Sequence, residues 1–181
     1  MLFLLYVFAI KVLYGYILID ICEEVFTLIF KILSISHGWF SVDFDRQFIL
    51  INSSYLGCDA PALLLESLCS LLENKVNEEW ICWQDEPGAY ILRLDKYDDQ
   101  LRLEIYDTDK DSYELPFSGV PLCEHITKCL FKTNGSLTKI AETIFMEFEL
   151  YEYGIGRKRY DKNWGGFPKQ YYRLRELLRT R

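Results

Sequence analysis

Residues 80–106, WICWQDEPGAYILRLDKYDDQLRLEIY, decide the fold class. Trp80–Trp83 is an apolar strand-forming run, and Asp85-Glu86-Pro87-Gly88 supplies a turn whose geometry Pro and Gly set. Tyr90–Leu94 is the next strand, and Asp95–Gln100 is the polar turn that follows it. Leu101–Tyr106 alternates apolar and charged residues, so one face of that strand is expected to be buried and the other wet. Three strands in close succession make an antiparallel meander. Parallel β-α-β alternation is not visible, which disfavours a doubly wound sheet.

Outward from this core, Trp39–Phe44 and Phe48–Ile51 read as two more strands, turned at Asp45-Arg46. Asp59 before Ala60-Pro61 suits a helix N-cap with Pro in the first turn. The leucines from Leu63 to Leu72 predict a helix over 60–74, with Asn74 as its terminator. Downstream, Pro121–Phe131 reads as a short helix and Asn134-Gly135-Ser136 as a restart. Leu137, Ile140, Ala141, Ile144, Phe145, Phe148 and Tyr151 follow helical spacing. A glycine-bearing loop is expected from Gly154 to Gly166. A terminal helix near 168–180 then turns Tyr171, Leu174, Leu177 and Leu178 inward. The expected class is α+β: an antiparallel sheet of about five strands with helices packed on one side, plus a hydrophobic N-terminal helix.

The start of the chain stands apart. Residues 1–19, MLFLLYVFAIKVLYGYILI, carry Lys11 as their one charge. As a helix they would be about 28 Å long, close to a bilayer core of ~30 Å. Asp20, Glu23, Glu24, Thr27 and Lys31 fall on one helical face, so 20–34 reads as an amphipathic helix. The expected organisation is a hydrophobic helical segment over 1–34 and a single α+β domain over 35–181. Residues 1–19 leave open a membrane anchor, a helix packed on the domain, or an extension from an early start codon. A secretory signal is disfavoured, because a basic lead-in and a small-residue cleavage site are missing.

Composition excludes several classes. Of 181 residues, 50% are hydrophobic and 16% aromatic, too rich in core material for a disordered chain. A net charge of −7 argues against nonspecific nucleic-acid binding. Six cysteines (Cys22, Cys58, Cys69, Cys82, Cys123, Cys129) show no CxxC spacing, so they read as reduced thiols rather than zinc ligands or redox pairs. His37 falls in a turn, and His125 lies two residues from Cys123, which points the two to different sides of a helix. Asp107-Thr108-Asp109-Lys110-Asp111 opens like a calcium loop, but Ser112 and Ser118 stand where that motif needs Gly and a bidentate Glu. Gly154-Ile155-Gly156 lacks a third glycine, and Glu147, Glu149 and Glu152 lack the Glu-x-x-His pattern of di-iron helices. No catalytic signature, metal site or cofactor is expected.

Charge is distributed unevenly. Residues 1–34 carry net −1, residues 35–118 net −11, and residues 119–181 net +5. The acids gather in neighbouring turns of the expected sheet, a surface that attracts a basic partner and speeds encounter. The basic tail (Arg157, Lys158, Arg159, Lys162, Lys169, Arg173, Arg175, Arg179, Arg181) fits either contact with phosphates or anionic lipid, or internal pairing with the acidic sheet. Tyr160, Trp164, Tyr171 and Tyr172 interleave there, as base-stacking aromatics or as a buried face.

Gly38-Trp39-Phe40, Asp59-Ala60-Pro61 before a leucine-rich helix, Trp83–Gly88, and the strands Tyr90–Leu94 and Leu101–Tyr106 carry a resemblance. Over residues 37–117 the chain resembles immunity proteins of bacterial contact-dependent growth inhibition and related polymorphic toxin systems. The resemblance implies a noncatalytic, cytoplasmic protein that binds one cognate toxin domain and occludes its active site. Association with the inner membrane through 1–19 is compatible with it. Many such toxins are nucleases with basic clefts, which an acidic surface would fill by mimicking phosphate; direct contact with nucleic acid is not expected. Turn position and charge assign that surface to Asp85, Glu86, Glu104, Asp107, Asp109, Asp111 and Glu114. The alternative is a membrane-anchored regulatory or scaffold protein with a cytosolic α+β module.

Overall fold

A computed structural model describes residues 28, 30–44, 49–54, 59–111, 114–154 and 156–181. It is α+β, with two antiparallel sheets of three and four strands in place of the expected single sheet of about five. The segment 1–19, the helical reading of 20–27 and the Asp45-Arg46 turn lie outside the described residues. Among the described residues no helix is long and apolar enough to cross a membrane.

The first sheet runs in the order β1 (Phe30–Ser36), β2 (Trp39–Phe44), β3 (Ile49–Ser54). Strand β1 corrects the helical reading of 20–34, at least from Phe30 onward. Phe30 and Ile32 are buried while Lys31 and Leu33 are exposed, a period of two. A register shift between Ile32 and Ser34 then returns Ile35 to the buried face. So short a segment satisfies both periods, and pairing with β2 decides between them. His37 and Gly38 form the hairpin turn at φ 52° and 79°, the positive values that a tight hairpin requires.

Helix α1 (Ala60–Leu72) begins where expected: Asp59 Oδ1 accepts from the Ala62 N–H at 3.0 Å. It ends at Asn74, which sits in the left-handed region at φ 57°. The Asn74 N–H donates to Leu71 O and the Lys75 N–H to Ser70 O, closing the last turn.

The second sheet has the order β4 (Glu78–Asp85), β5 (Gly88–Tyr97), β6 (Gln100–Thr108), β7 (Ile126–Ser136). Pro121–Phe131 is therefore not one helix. A 3-10 turn over Val120–His125 gives way to β7, which continues through Asn134-Gly135-Ser136. Ile126, Thr127, Phe131 and Thr133 favour extended backbone, and the free edge of β6 supplies the partner. Helix α2 (Leu137–Tyr153) follows directly. The expected loop 154–166 contains helix α3 (Arg157–Trp164), stopped by Gly165 at φ 94°. Helix α4 (Gln170–Arg179) closes the chain, with Tyr171 and Leu174 fully buried.

One apolar core joins both sheets to the helices. Phe40 and Phe44 of the first sheet meet Trp83 of the second at ring separations of 6.0 and 6.1 Å. Phe148 of α2 stacks on both Phe30 and Phe40 at 6.3 Å. A smaller cluster (Trp80, Cys82, Ala89, Ile91, Leu115, Leu122) covers part of the opposite face of the second sheet, beneath the chain between β6 and β7.

Candidate functional site

The sequence-predicted acids fall into three settings. Asp85 ends β4, where it pairs with Gly88 across the hairpin, and Glu86 opens the turn. The register aligns Trp83 with Tyr90 and Tyr90 with Asp107, which brings Asp107 to the same end of the sheet. Burial raises the Asp85 carboxyl above its ordinary value; a hydrogen bond with Tyr90 lowers it again in part, and Glu86 adds to the rise. Burial and the charges of Asp85 and Asp107 push the Tyr90 hydroxyl up in turn. Glu86 accepts from Ser54 Oγ at 2.7 Å, which fastens the hairpin to the end of β3.

The second setting is the end of β6 and the segment that follows it. Asp107 Oδ1 accepts from the Thr108 N–H at 3.0 Å, and the Lys110 N–H donates to Thr108 Oγ1 at 3.2 Å. The Glu114 N–H donates to Asp111 O at 2.9 Å, while Leu115 anchors the segment in the smaller apolar cluster. Asp107, Asp109, Asp111 and Glu114 are all exposed. Glu114 meets Lys110 at 3.5 Å, an exposed pair of small energetic weight. Among the described residues no lysine or arginine forms an ion pair with Asp85, Glu86, Asp107, Asp109 or Asp111. Lys128 lies opposite Asp107 in the β6–β7 register without pairing to it.

Glu104 occupies the third setting, apart from the other six. Its row across the sheet reads Trp80, Arg93, Glu104, Lys132. The carboxylate is 2% exposed and meets Arg102 at 2.7 Å, Arg93 at 3.1 Å and Lys132 at 3.5 Å. Burial alone would raise its carboxyl; hydrogen bonds from Tyr106, Arg102 and Arg93 outweigh burial and hold it below the usual range. Arg93 also reaches Glu78 at 2.7 Å and Asp95 at 3.1 Å, and its guanidinium lies over Trp80. Three acids and three bases balance on this face, so it presents little net charge to a partner.

The basic tail pairs with helices, not with the acidic segment after β6. Arg173 bridges Glu66 of α1 and Glu73 at its C-cap, and Arg157 holds Glu152 and Asp161. Hydrogen bonds from Arg173 and Lys75 pull the Glu73 carboxyl down to about 2. Tyr160, Trp164 and Tyr171 are core residues, which removes three of the four aromatics that a base-stacking surface would need. The sequence reading missed the Arg93–Glu104–Arg102 network. Its signal, Arg93, Arg102 and Glu104 on alternating strand positions, becomes legible only once the register is known.

Among the described residues, no group of three or more His, Cys, Asp or Glu side chains is placed to hold a metal ion. His37 Nδ1 and Ser36 Oγ are 2.7 Å apart in the β1–β2 turn, a local contact. The Asp85–Asp107 end presents carboxylates, groups that attract cations. No protein-family model, curated protein or solved structure matches the chain.

Proposed function

We propose that the protein is a noncatalytic immunity-type binding protein that blocks a cognate toxin domain by seating an acidic surface in a basic cleft. The surface comprises Asp85, Glu86 and Asp107 at the hairpin end, continued by Asp109, Asp111 and Glu114. One observation carries this reading. The chain's arginines pair with Glu104, Glu66, Glu73, Glu152 and Asp161, yet Asp85, Glu86, Asp107, Asp109 and Asp111 have no ion-pair partner among the described residues. Concentrated charge of one sign, anchored at its base by Leu115 and Ser54–Glu86, steers an oppositely charged partner and sets the encounter rate. Glu104, buried and already paired with Arg93 and Arg102, is left out of this proposed surface.

The test pairs the purified chain with the toxin domain encoded by the reading frame that immediately precedes its gene. The triple variant D107K/D109K/D111K should bind that domain roughly a hundredfold more weakly, mostly through a slower on-rate. Its circular dichroism should match the parent. Unchanged affinity in a folded triple variant overturns the assignment. Because the Asp85 carboxyl is raised in the free protein and a partner cation favours its ionised form, affinity should also rise with pH through that titration.

A further inference from the structure

The helical layer carries a second surface that shares no residue with the acidic one. On α2, Met146, Leu150 and Tyr153 stand at i, i+4 and i+7 and so share a face. They are 62, 65 and 68% exposed, high values for three large side chains in a row. Beside them a groove of about 300 Å³ separates α2 from α4, lined by Phe145 and Leu178. Its α2 wall presents Glu142 and Glu149, and its α4 wall presents Arg175 and Arg179. Neither glutamate forms an ion pair among the described residues, and Arg179 holds only Glu176, with both side chains nearly two-thirds exposed.

We infer that this face is where two copies of the chain associate about a two-fold axis, the α2 ridge of each seated in the α2/α4 groove of the other. The charges select that occupant. An isologous contact requires a surface complementary to itself, and an acidic wall facing a basic wall across an apolar floor meets that condition. An anionic membrane would be attracted by Arg175 and Arg179 but repelled by Glu142 and Glu149, and a uniformly basic partner would meet the reverse conflict. On a chain of net −7, which repels its own copies over much of its surface, this patch is locally balanced.

Sedimentation equilibrium of the full chain tests the inference. The parent should run at twice its 21.5 kDa mass. E149R and R179E should each weaken self-association by roughly tenfold or more, because each places like charges across both symmetric contacts. An equimolar mixture of the two variants should regain the dimer, since both contacts then join opposite charges. L150D should give a monomer through loss of the apolar ridge. Where L150D fails to fold, the charge-reversed pair still decides. A monomeric parent, a dimer that persists in both reversals, or a mixture that fails to recover overturns the proposal.

Discussion

Glu104 illustrates how a carboxylate can sit under a sheet's surface charges and be neutralised from within the chain. Its stabilisation depends on Arg93 and Arg102, each already angled toward it from a neighbouring strand position. Removing the charge leaves those arginines facing a cavity or a neutral amide. E104A should cost about 2 kcal/mol in urea unfolding, and E104Q somewhat less, with the m-value unchanged. The pH dependence has a definite sign. The folded carboxyl titrates below its ordinary value of 4.5, so its contribution is complete above that value and is lost as pH falls through the folded value. Asp85 and Glu79 run the other way, since burial raises both and their protonation relieves the folded state. E104Q should therefore flatten the acid limb of the stability curve. An unaltered acid limb would show that Glu104 is not the titrating support. Thiols report burial at the same scale: desolvation raises the Cys69 thiol to about 12, whereas Cys129 is exposed. Among the cysteines of the described residues, pulsed alkylation with peptide mapping should label Cys129 first, and Cys69 and Cys82 only as the chain unfolds.

Asp59 ties two elements that lie far apart in sequence. Its Oδ1 caps α1 at Ala62 and also accepts from the Trp164 indole N–H at 3.0 Å, at the end of α3. D59A should therefore cost about 1–2 kcal/mol, while D59N, which keeps the acceptor oxygen, should cost clearly less. Equal losses in the two variants would mean the cap contributes little. The start of α1 was legible because Asp-Ala-Pro is a local code, readable without knowledge of what packs above it. The same holds for the 80–106 meander and for α2, whose periods repeat long enough to be unambiguous. Strand β1, strand β7 and helix α3 were not legible. FKILSIS fits two periods, and β7 is extended because the β6 edge pairs with it. Helix α3 shows only Tyr160 and Trp164 as an apolar pair inside a basic run. In each case nonlocal packing decided the outcome. The acidic end of the sheet was legible as charge in turns. That Glu104 is neutralised from adjacent strands was not, because the register alone places Arg93 beside it and Lys132 across from it.

At the scale of the whole molecule, Phe148 joins the helical layer to the first sheet inside a core that both sheets share. It is fully buried, stacks on Phe30 and Phe40 of the first sheet at 6.3 Å, and meets Phe167 edge-on at 6.3 Å. Phe40 in turn packs on Trp83 of the second sheet. A core joined in this way leaves the first sheet no hydrophobic interior of its own among the described residues, because β1–β3 have Trp83, Phe131 and Phe148 as their cover, while the second sheet also has its smaller cluster. Loss of the Phe148 ring should therefore destabilise both sheets together, by about 3–5 kcal/mol in F148A. Hydrogen exchange read by mass spectrometry separates the alternatives. If the sheets share their stability, protection in residues 30–44 and in residues 90–106 should fall by the same free energy in F148A, and the urea transition should stay single. Loss confined to residues 30–44, with the meander still protected at its parental level, would show that the second sheet is stable without the first. The acidic end of the sheet would then rest on the meander alone, and the Ser54–Glu86 tie would be dispensable for holding it in place.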